Sequence, residues 1–379
     1  MSEMRPNSSF QFILKPVIAC NLACEYCYAS RFRRDACPRM TLAEARTAVD
    51  WAVAFCRQYG VKRVSVLWQG GEPLLAGAEF IDQIAAYYEG RLSNLGIACE
   101  SILQTNLLLM DETMLPVVKR HFRGEVGFSY DYLSGTRVYP DGRNAADDIW
   151  SKALWCKRQG LTVGAICQVT NANISRMREL YDFFNGQGIL LKISQVFPSQ
   201  GATSENALSI PPERSAEAVC ELFDCWFDDP DARIEVSNLK ALVAALLCGR
   251  SGECCRQENC APLLLSLIPD GRILPCARFD CADDVIGNYY SDSPDQVMVA
   301  RLRHQRQRDR ADGHCRDCRY RKICHGGCYY NRLTGWHEGE CVSNRIILAH
   351  IERRLNERGL QFACLEDDLA IGAGARVAR

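Results

Sequence analysis

Strand-like and helix-like patterns alternate six times between Phe10 and Phe227, and this alternation admits very few folds. Phe10 to Val17 alternates apolar and polar residues as a half-buried strand does. A helix follows from Thr41, where Thr41 and Glu44 form a capping-box pair and Gly60 supplies the stop. The pattern predicts further strands at Val61 to Trp68, Ala98 to Thr105, Glu125 to Tyr130, Leu161 to Val169 and Ile189 to Phe197. It predicts helices at Ala78 to Tyr88, around Glu112 to His121, and at Ala146 to Gln159, Arg178 to Asn185 and Pro212 to Phe227. Six β-α units imply an α/β fold with a parallel sheet, whose strand C-termini carry the active face. Six rather than eight predicts an open, partial barrel.

The loop after the first strand holds Cys20, Cys24 and Cys27 in the spacing Cys-x3-Cys-x2-Cys. Three thiolates do not close a four-ligand zinc shell, and disulfide frameworks need even numbers. Three cysteines on one loop suit three irons of a [4Fe-4S] cluster, leaving the fourth iron open to a small ligand.

Beyond Gly249 the alternation gives way to loops rich in Cys, Gly and Arg. Leu263 to Pro269 and Arg272 to Pro275 flank the Asp270-Gly271 turn and read as a small hairpin. Cys254, Cys260, Cys276, Cys315, Cys318, Cys324, Cys328 and Cys341 fall here, and a last helix is expected from about Val342 to Glu357. A segment with so few apolar residues needs metal clusters to hold it.

The chain has 22 cysteines in 379 residues, too long to need disulfide staples, and Met1 to Ser9 shows no signal-peptide pattern. With 45 Lys and Arg against 46 Asp and Glu, no net field draws in nucleic acid. The longest apolar runs, such as Ala241 to Leu247, are too short to span a membrane. A cytoplasmic protein with reduced, largely metal-binding thiols is expected.

Together these motifs resemble a known superfamily. Cys20, Cys24 and Cys27, with Tyr26 before the last cysteine, look like the signature loop of radical S-adenosylmethionine (SAM) enzymes. Cys260-x10-Gly271-x4-Cys276, then Cys315-x2-Cys318-x5-Cys324-x3-Cys328, then Cys341, resemble the SPASM extension of that superfamily. The resemblance runs from about Phe10 to Cys341. It implies a partial (β/α)6 barrel over residues 1–240, a domain with two auxiliary clusters over 241–341, and a C-terminal helix and tail over 342–379. It also implies three [4Fe-4S] clusters, SAM, and an external electron donor such as flavodoxin or ferredoxin.

In similar enzymes the stretch matching Gly70, Gly71 and Glu72 meets the methionine part of SAM. The missing side chains let the backbone approach, and the carboxylate accepts the ammonium. By the same resemblance Gln104, Ser129 and Asp131 offer polar groups to the ribose and Val169 forms an apolar wall for the adenine. The family's interleaved pattern assigns Cys254, Cys260, Cys276 and Cys328 to an inner cluster and Cys315, Cys318, Cys324 and Cys341 to an outer one. Cys255 competes with Cys254. Gly326 and Gly327 permit the tight turn that sends neighbouring thiolates apart.

Plainer readings stand beside these. Cys315 to Cys328 alone also suits zinc, Gln69 to Pro73 alone is a turn, and Ser129 or Asp131 alone is a strand-end polar residue. The other eleven cysteines (Cys37, Cys56, Cys99, Cys156, Cys167, Cys220, Cys225, Cys248, Cys255, Cys281 and Cys364) read as small core hydrophobes. Arg301 to Arg310 reads as a solvated helix face rather than a dock for an acidic peptide, and His314 and His325 as turn residues.

Within the superfamily, Ile13-Leu14-Lys15-Pro16, Trp68 to Pro73, Leu103 to Asn106 and Leu274-Pro275-Cys276 resemble anaerobic sulfatase maturases, which oxidise a Cys or Ser side chain to formylglycine. Those enzymes carry an Asp directly after the counterpart of Cys276, proposed as the base, and here that position is Ala277. Alanine accepts no proton, and nothing in the sequence places nearby Asp280 in the pocket. The expectation is therefore a maturase that crosslinks a ribosomally made peptide through a thioether or cyclophane. Formylglycine formation is the alternative, and a non-catalytic iron-sulfur carrier or sensor the alternative of another class. A small-molecule dehydrogenase on the same scaffold is a further possibility. With 19 residues before Cys20, no separate leader-binding domain is expected at the N-terminus.

Overall fold

The computed structural model describes residues 9–27, 38–195, 210–249, 260, 263–279, 284–306, 315 and 317–360. Strands β1 (Ser9–Leu14), β2 (Arg63–Trp68), β3 (Ala98–Thr105), β4 (Glu125–Ser129), β5 (Thr162–Val169) and β6 (Leu190–Gln195) pair in sequence order, every pair parallel. Helices α1 (Leu42–Gln58), α2 (Ala78–Ser93), α3 (Met114–His121), α4 (Ala146–Arg158), α5 (Met177–Gln187) and α6 (Pro212–Phe227) follow the strands one by one. Helical crossovers between parallel strands bring all the strand C-termini to one edge of the sheet. The α/β reading and the order of its six units are thus as the alternation predicts.

The local signals act as expected. Thr41 caps α1 by accepting a hydrogen bond from the Glu44 amide at 3.2 Å, and the Glu44 carboxylate accepts from the Thr41 amide at 2.7 Å. Both end groups are satisfied by one pair of side chains. The inner face of α1 buries Phe55 against Phe10 and Phe12 of β1, with Trp51 packed beside Phe55. Trp68, ending β2, is fully buried, and its indole donates to Tyr88 of α2 at 3.1 Å.

The later elements depart further from expectation. Helix α7 (Ser237–Cys248) forms over the apolar run beginning at Ala241, behind a bridge from Val236 to Leu191 of β6. Strand β7 (Leu264–Leu267) pairs parallel to β1 on the side away from β2. Strands β8 (Arg272–Leu274) and β9 (Gly287–Asn288) continue the sheet antiparallel. The expected hairpin therefore exists, but its first strand extends the main sheet. All four β7 residues are buried, so this strand needs cover that a detached hairpin lacks. Asp270 and Gly271 both take left-handed φ, 68° and 81°, as a tight hairpin turn requires.

Helices α8 (Pro294–Arg306), α9 (Arg321–Cys324), α10 (Tyr329–Leu333) and α11 (His337–Glu357) complete the described chain. Helix α11 begins at His337 rather than near Val342, which places Cys341 inside its first turns. It packs on α6, where Asp224 accepts from His350 Nε2 and from Arg354 Nε, each at 2.9 Å. Cys56, Cys156, Cys167, Cys220 and Cys225 are buried core residues as expected, and Cys99 is partly buried. Cys248 is a correction: it ends α7 and is exposed. Cys37, Cys255, Cys281, Cys364, Asp280, His314 and the end of the arginine run lie outside the described residues.

Replacing Thr41 by Ala removes one half of the capping box. It is expected to lower stability by about 1 kcal/mol in denaturant unfolding of the intact protein.

Candidate active site at the strand C-termini

The three-cysteine loop follows β1, and it is fixed from two sides. From the β2 side, the amides of Gly71 and Glu72 donate to the carbonyls of Val17 and Ala19 at 3.1 and 2.8 Å. From the β4 side, the Ala23 amide donates to Val138 O at 2.7 Å. A Cβ on Gly71 would sit 2.0 Å from Ala19 O, and one on Gly70 2.4 Å from Val17 O. Both distances are impossible contacts, so glycine is required here by the protein's own backbone. The sequence reading gave these glycines to an approaching ligand; in the structure they first admit the cysteine loop.

Glu72 is buried, and its carboxylate ties the ends of β2 and β3 together. Oε1 accepts from the Leu74 amide at 2.9 Å and Thr105 Oγ1 at 2.6 Å, while Oε2 accepts from the Asn106 amide at 2.8 Å. Burial raises its pKa to about 6 against the lowering effect of those donors. One oxygen retains a lone pair for a further donor.

Asp131 departs from the role expected of it. Its carboxylate accepts from the Tyr26 hydroxyl, from Thr136 Oγ1 at 3.3 Å and from the Gln168 amide at 2.9 Å, and it forms an ion pair with Arg137 at 3.0 Å. With its oxygens so engaged and its side chain fully buried, it offers no free acceptor to a ribose. Arg137 in turn donates to Cys24 Sγ at 3.9 Å and lies 5.5 Å from the centre of the Tyr26 ring. Burial alone would lower the arginine's pKa, but the nearby Asp131 keeps it raised. Tyr26, Asp131 and Arg137 thus form a buried brace behind the cysteine loop. Val169 is fully buried in the core and shows no face to solvent.

Gln104 and Ser129 do come together at the partly open edge, where Gln104 Nε2 donates to Ser129 Oγ at 3.1 Å. Gly127 makes room for this pair, since a Cβ there would meet Gln104 Oε1 at 2.4 Å.

None of the loop's thiols is in a disulfide among the described residues. Cys20 Sγ accepts from the Leu22 amide at 3.4 Å and Asn106 Nδ2 at 3.8 Å. Burial pushes the Cys20 thiol up to about 12, with the charges of Glu72, Cys24 and Cys27 adding to the effect. A thiol so placed becomes a thiolate only when a strongly charged metal centre draws it out. Among the described residues no three His, Cys, Asp or Glu side chains converge on a single metal ion. The fit to a polynuclear iron-sulfur group therefore rests on donor chemistry: three thiols, each intermediate or buried, on one braced loop.

By the expected ligand assignment the downstream cysteines fall into two groups. Cys260, Cys276 and Cys328 pack against one apolar cluster of Ile268, Leu274, Phe279, Tyr329 and Tyr330. Burial pushes the Cys276 thiol up to about 11, and the Cys328 charge adds to it. Arg278 Nη1 donates to Cys328 Sγ at 3.4 Å, and Arg301 Nη2 to Cys260 Sγ at 3.5 Å. In the other group, Arg332 Nη2 donates to Cys315 Sγ at 3.6 Å and Asn344 Nδ2 to Cys324 Sγ at 3.6 Å. Cys318 and Cys341 are partly buried. Cys254 lies outside the described residues. His325, Gly326 and Gly327 all take left-handed φ, so the expected tight turn between Cys324 and Cys328 is present.

Four residues of this site escaped sequence reading: Arg137, Arg278, Arg301 and Arg332. Arg301 is a correction, since the run from Arg301 was read as solvated and this residue is 1% exposed. Their thiol partners are 17 to 113 positions away in the chain, and no periodicity reports such pairs.

No family model matches the chain. A serine-type anaerobic sulfatase-maturating enzyme of Klebsiella aerogenes is 25% identical over 342 residues, which is 86% of this chain and 81% of that one. A cysteine-type anaerobic sulfatase-maturating enzyme of Clostridium perfringens is 24% identical over 338 residues, which is 83% of this chain and 88% of that one. The native anSMEcpe structure with bound AdoMet and Cp18Cys peptide shares the fold, with a TM-score of 0.79 at 20% identity over 93% of this chain and 99% of that one. Streptococcus suis SuiB bound to precursor peptide SuiA matches at 0.57 and 18% identity, over 86% and 73% of the two chains. Among the described residues no helix is long and apolar enough to cross a membrane.

Gly71→Ala is expected to disrupt the cysteine loop at a cost of about 1–3 kcal/mol or more. Iron bound after anaerobic reconstitution should fall by the share of one cluster, whereas Gly90→Ala, at an open helical position of α2, should retain it.

Proposed function

We propose that this chain is a radical SAM maturase that oxidises a side chain of a peptide or protein substrate. The observation that carries the reading is the three-cysteine loop locked between β1 and the Gly70-Gly71-Glu72 turn. When bound, a [4Fe-4S] cluster and SAM supply the 5'-deoxyadenosyl radical that removes a hydrogen atom from the substrate.

The chain's own residues hold and position. Cys20, Cys24 and Cys27 provide three thiolates, and Arg137 compensates their charge from behind. Glu72 fixes the ends of β2 and β3 and keeps a lone pair for the SAM ammonium. Gln104 and Ser129 present the polar edge for the ribose. Asp131 serves this site by orienting Tyr26 and Arg137 rather than by touching the ligand. The two downstream thiol groups hold auxiliary clusters; the inner one would accept the electron that side-chain oxidation releases. An external protein such as a flavodoxin or ferredoxin supplies the reducing electron. The sheet with its helices forms the partial barrel, and the cysteine-rich segment the SPASM module.

Two products divide the reading. Formylglycine is favoured by the relatives, whose names are those of sulfatase-maturating enzymes. Ala277 speaks against the formylglycine route, whose enzymes resemble this chain but carry an Asp there; a crosslink also releases a proton, which passes to a group other than residue 277, whose carbonyl accepts from Lys15 Nζ at 2.9 Å. We take the crosslink as the first reading, and SuiB with its precursor peptide is a neighbour in keeping with it.

Mass spectrometry of a candidate peptide treated with the enzyme, SAM and reductant decides between them. The crosslink reading predicts loss of two hydrogens with no hydrazine-reactive aldehyde. An aldehyde trapped by hydrazine establishes formylglycine instead, and Cys24→Ala should abolish either product.

A further inference from the structure

Among the described residues Arg301 is a buried cation without a carboxylate partner. It lies in α8 and is 1% exposed. Its Nη2 donates to Cys260 Sγ at 3.5 Å, and its guanidinium sits 5.5 Å from the centre of the Tyr329 ring. Its Nε and Nη1 have no hydrogen-bond partner. Among the described residues no carboxylate pairs with it. Arg137 is also buried, yet it lies on Asp131. A buried guanidinium with idle donors is costly, and folds keep one where an anion completes it.

The surroundings identify that anion. Cys260, Cys276 and Cys328 line the same apolar cluster that Tyr329 belongs to, and Arg278 donates to Cys328 from another direction. Three thiolates in a dry pocket would carry more negative charge than the single hydrogen bond from Arg301 answers.

We propose that Arg301 is the charge partner of the inner auxiliary cluster, and that its two idle N–H donors set that cluster's reduction potential. The proposal rests on the radical SAM and SPASM reading above. Uptake of one electron adds one negative charge to the cluster and its thiolates, with no bond broken in the protein. A fixed cation a few ångströms away in a low-dielectric pocket stabilises the more negative state more strongly. Arg301 thereby raises the potential and makes the inner cluster the better acceptor. It is a positioning residue, acting through the cluster.

The test is an electron paramagnetic resonance titration with dithionite, on protein in which Cys20, Cys24 and Cys27 are all replaced by Ala so that only the downstream clusters load. Arg301→Gln should leave the iron content unchanged and lower the midpoint of one signal. The expected shift is at least about tenfold in the reduction equilibrium, or ~59 mV for one electron. Arg301→Lys keeps the charge but loses the planar fork, and should lie between the two; if Arg301→Gln does not load iron, the Lys variant decides by the same criterion. A midpoint equal to that of the parent at equal iron content overturns the proposal while leaving the SPASM reading intact. If the parent shows no downstream cluster signal, both fall together.

Discussion

The site depends on one close approach of backbone to backbone. The turn after β2 runs so near the segment leaving β1 that Gly71 has no room for a Cβ. Two amide-to-carbonyl hydrogen bonds seal this contact, and Glu72 then draws in the end of β3. The cysteine loop thus inherits its position from the sheet. A cofactor loop tethered at one end would not hold three thiols in place for chemistry that tolerates little misplacement.

Charge is the second constraint. The chain places guanidinium groups at Cys24, Cys260, Cys315 and Cys328. Each is attached differently. Arg137 leans on Asp131, and Arg278 donates to Asn331 at 3.0 Å. Arg332 donates to the Gly326 carbonyl at 2.8 Å, and Arg301 reaches no protein oxygen among the described residues. The differences give each thiol group its own electrostatic setting within a single fold.

Much of this was legible in the sequence because it is local. Thr41 with Glu44, the alternation in β3 and the Asp270-Gly271 turn announce their conformations within a few residues. What was illegible is long-range. Asp131 reads as a strand-end acceptor until Arg137 and Tyr26 are seen to occupy it, and Arg301 reads as surface until α8 is seen to turn it inward. The parallel docking of β7 beside β1 likewise follows from burial on both faces, which a four-residue apolar run does not by itself declare.

The central claim is that the braced loop of Cys20, Cys24 and Cys27 holds the cluster that cleaves SAM. Chromatographic detection of 5'-deoxyadenosine after anaerobic incubation of the reconstituted protein with SAM and dithionite tests it most directly. The account predicts 5'-deoxyadenosine from the intact chain and none from Cys24→Ala. Equal amounts from both, or none from the intact chain with its iron fully loaded, would contradict it.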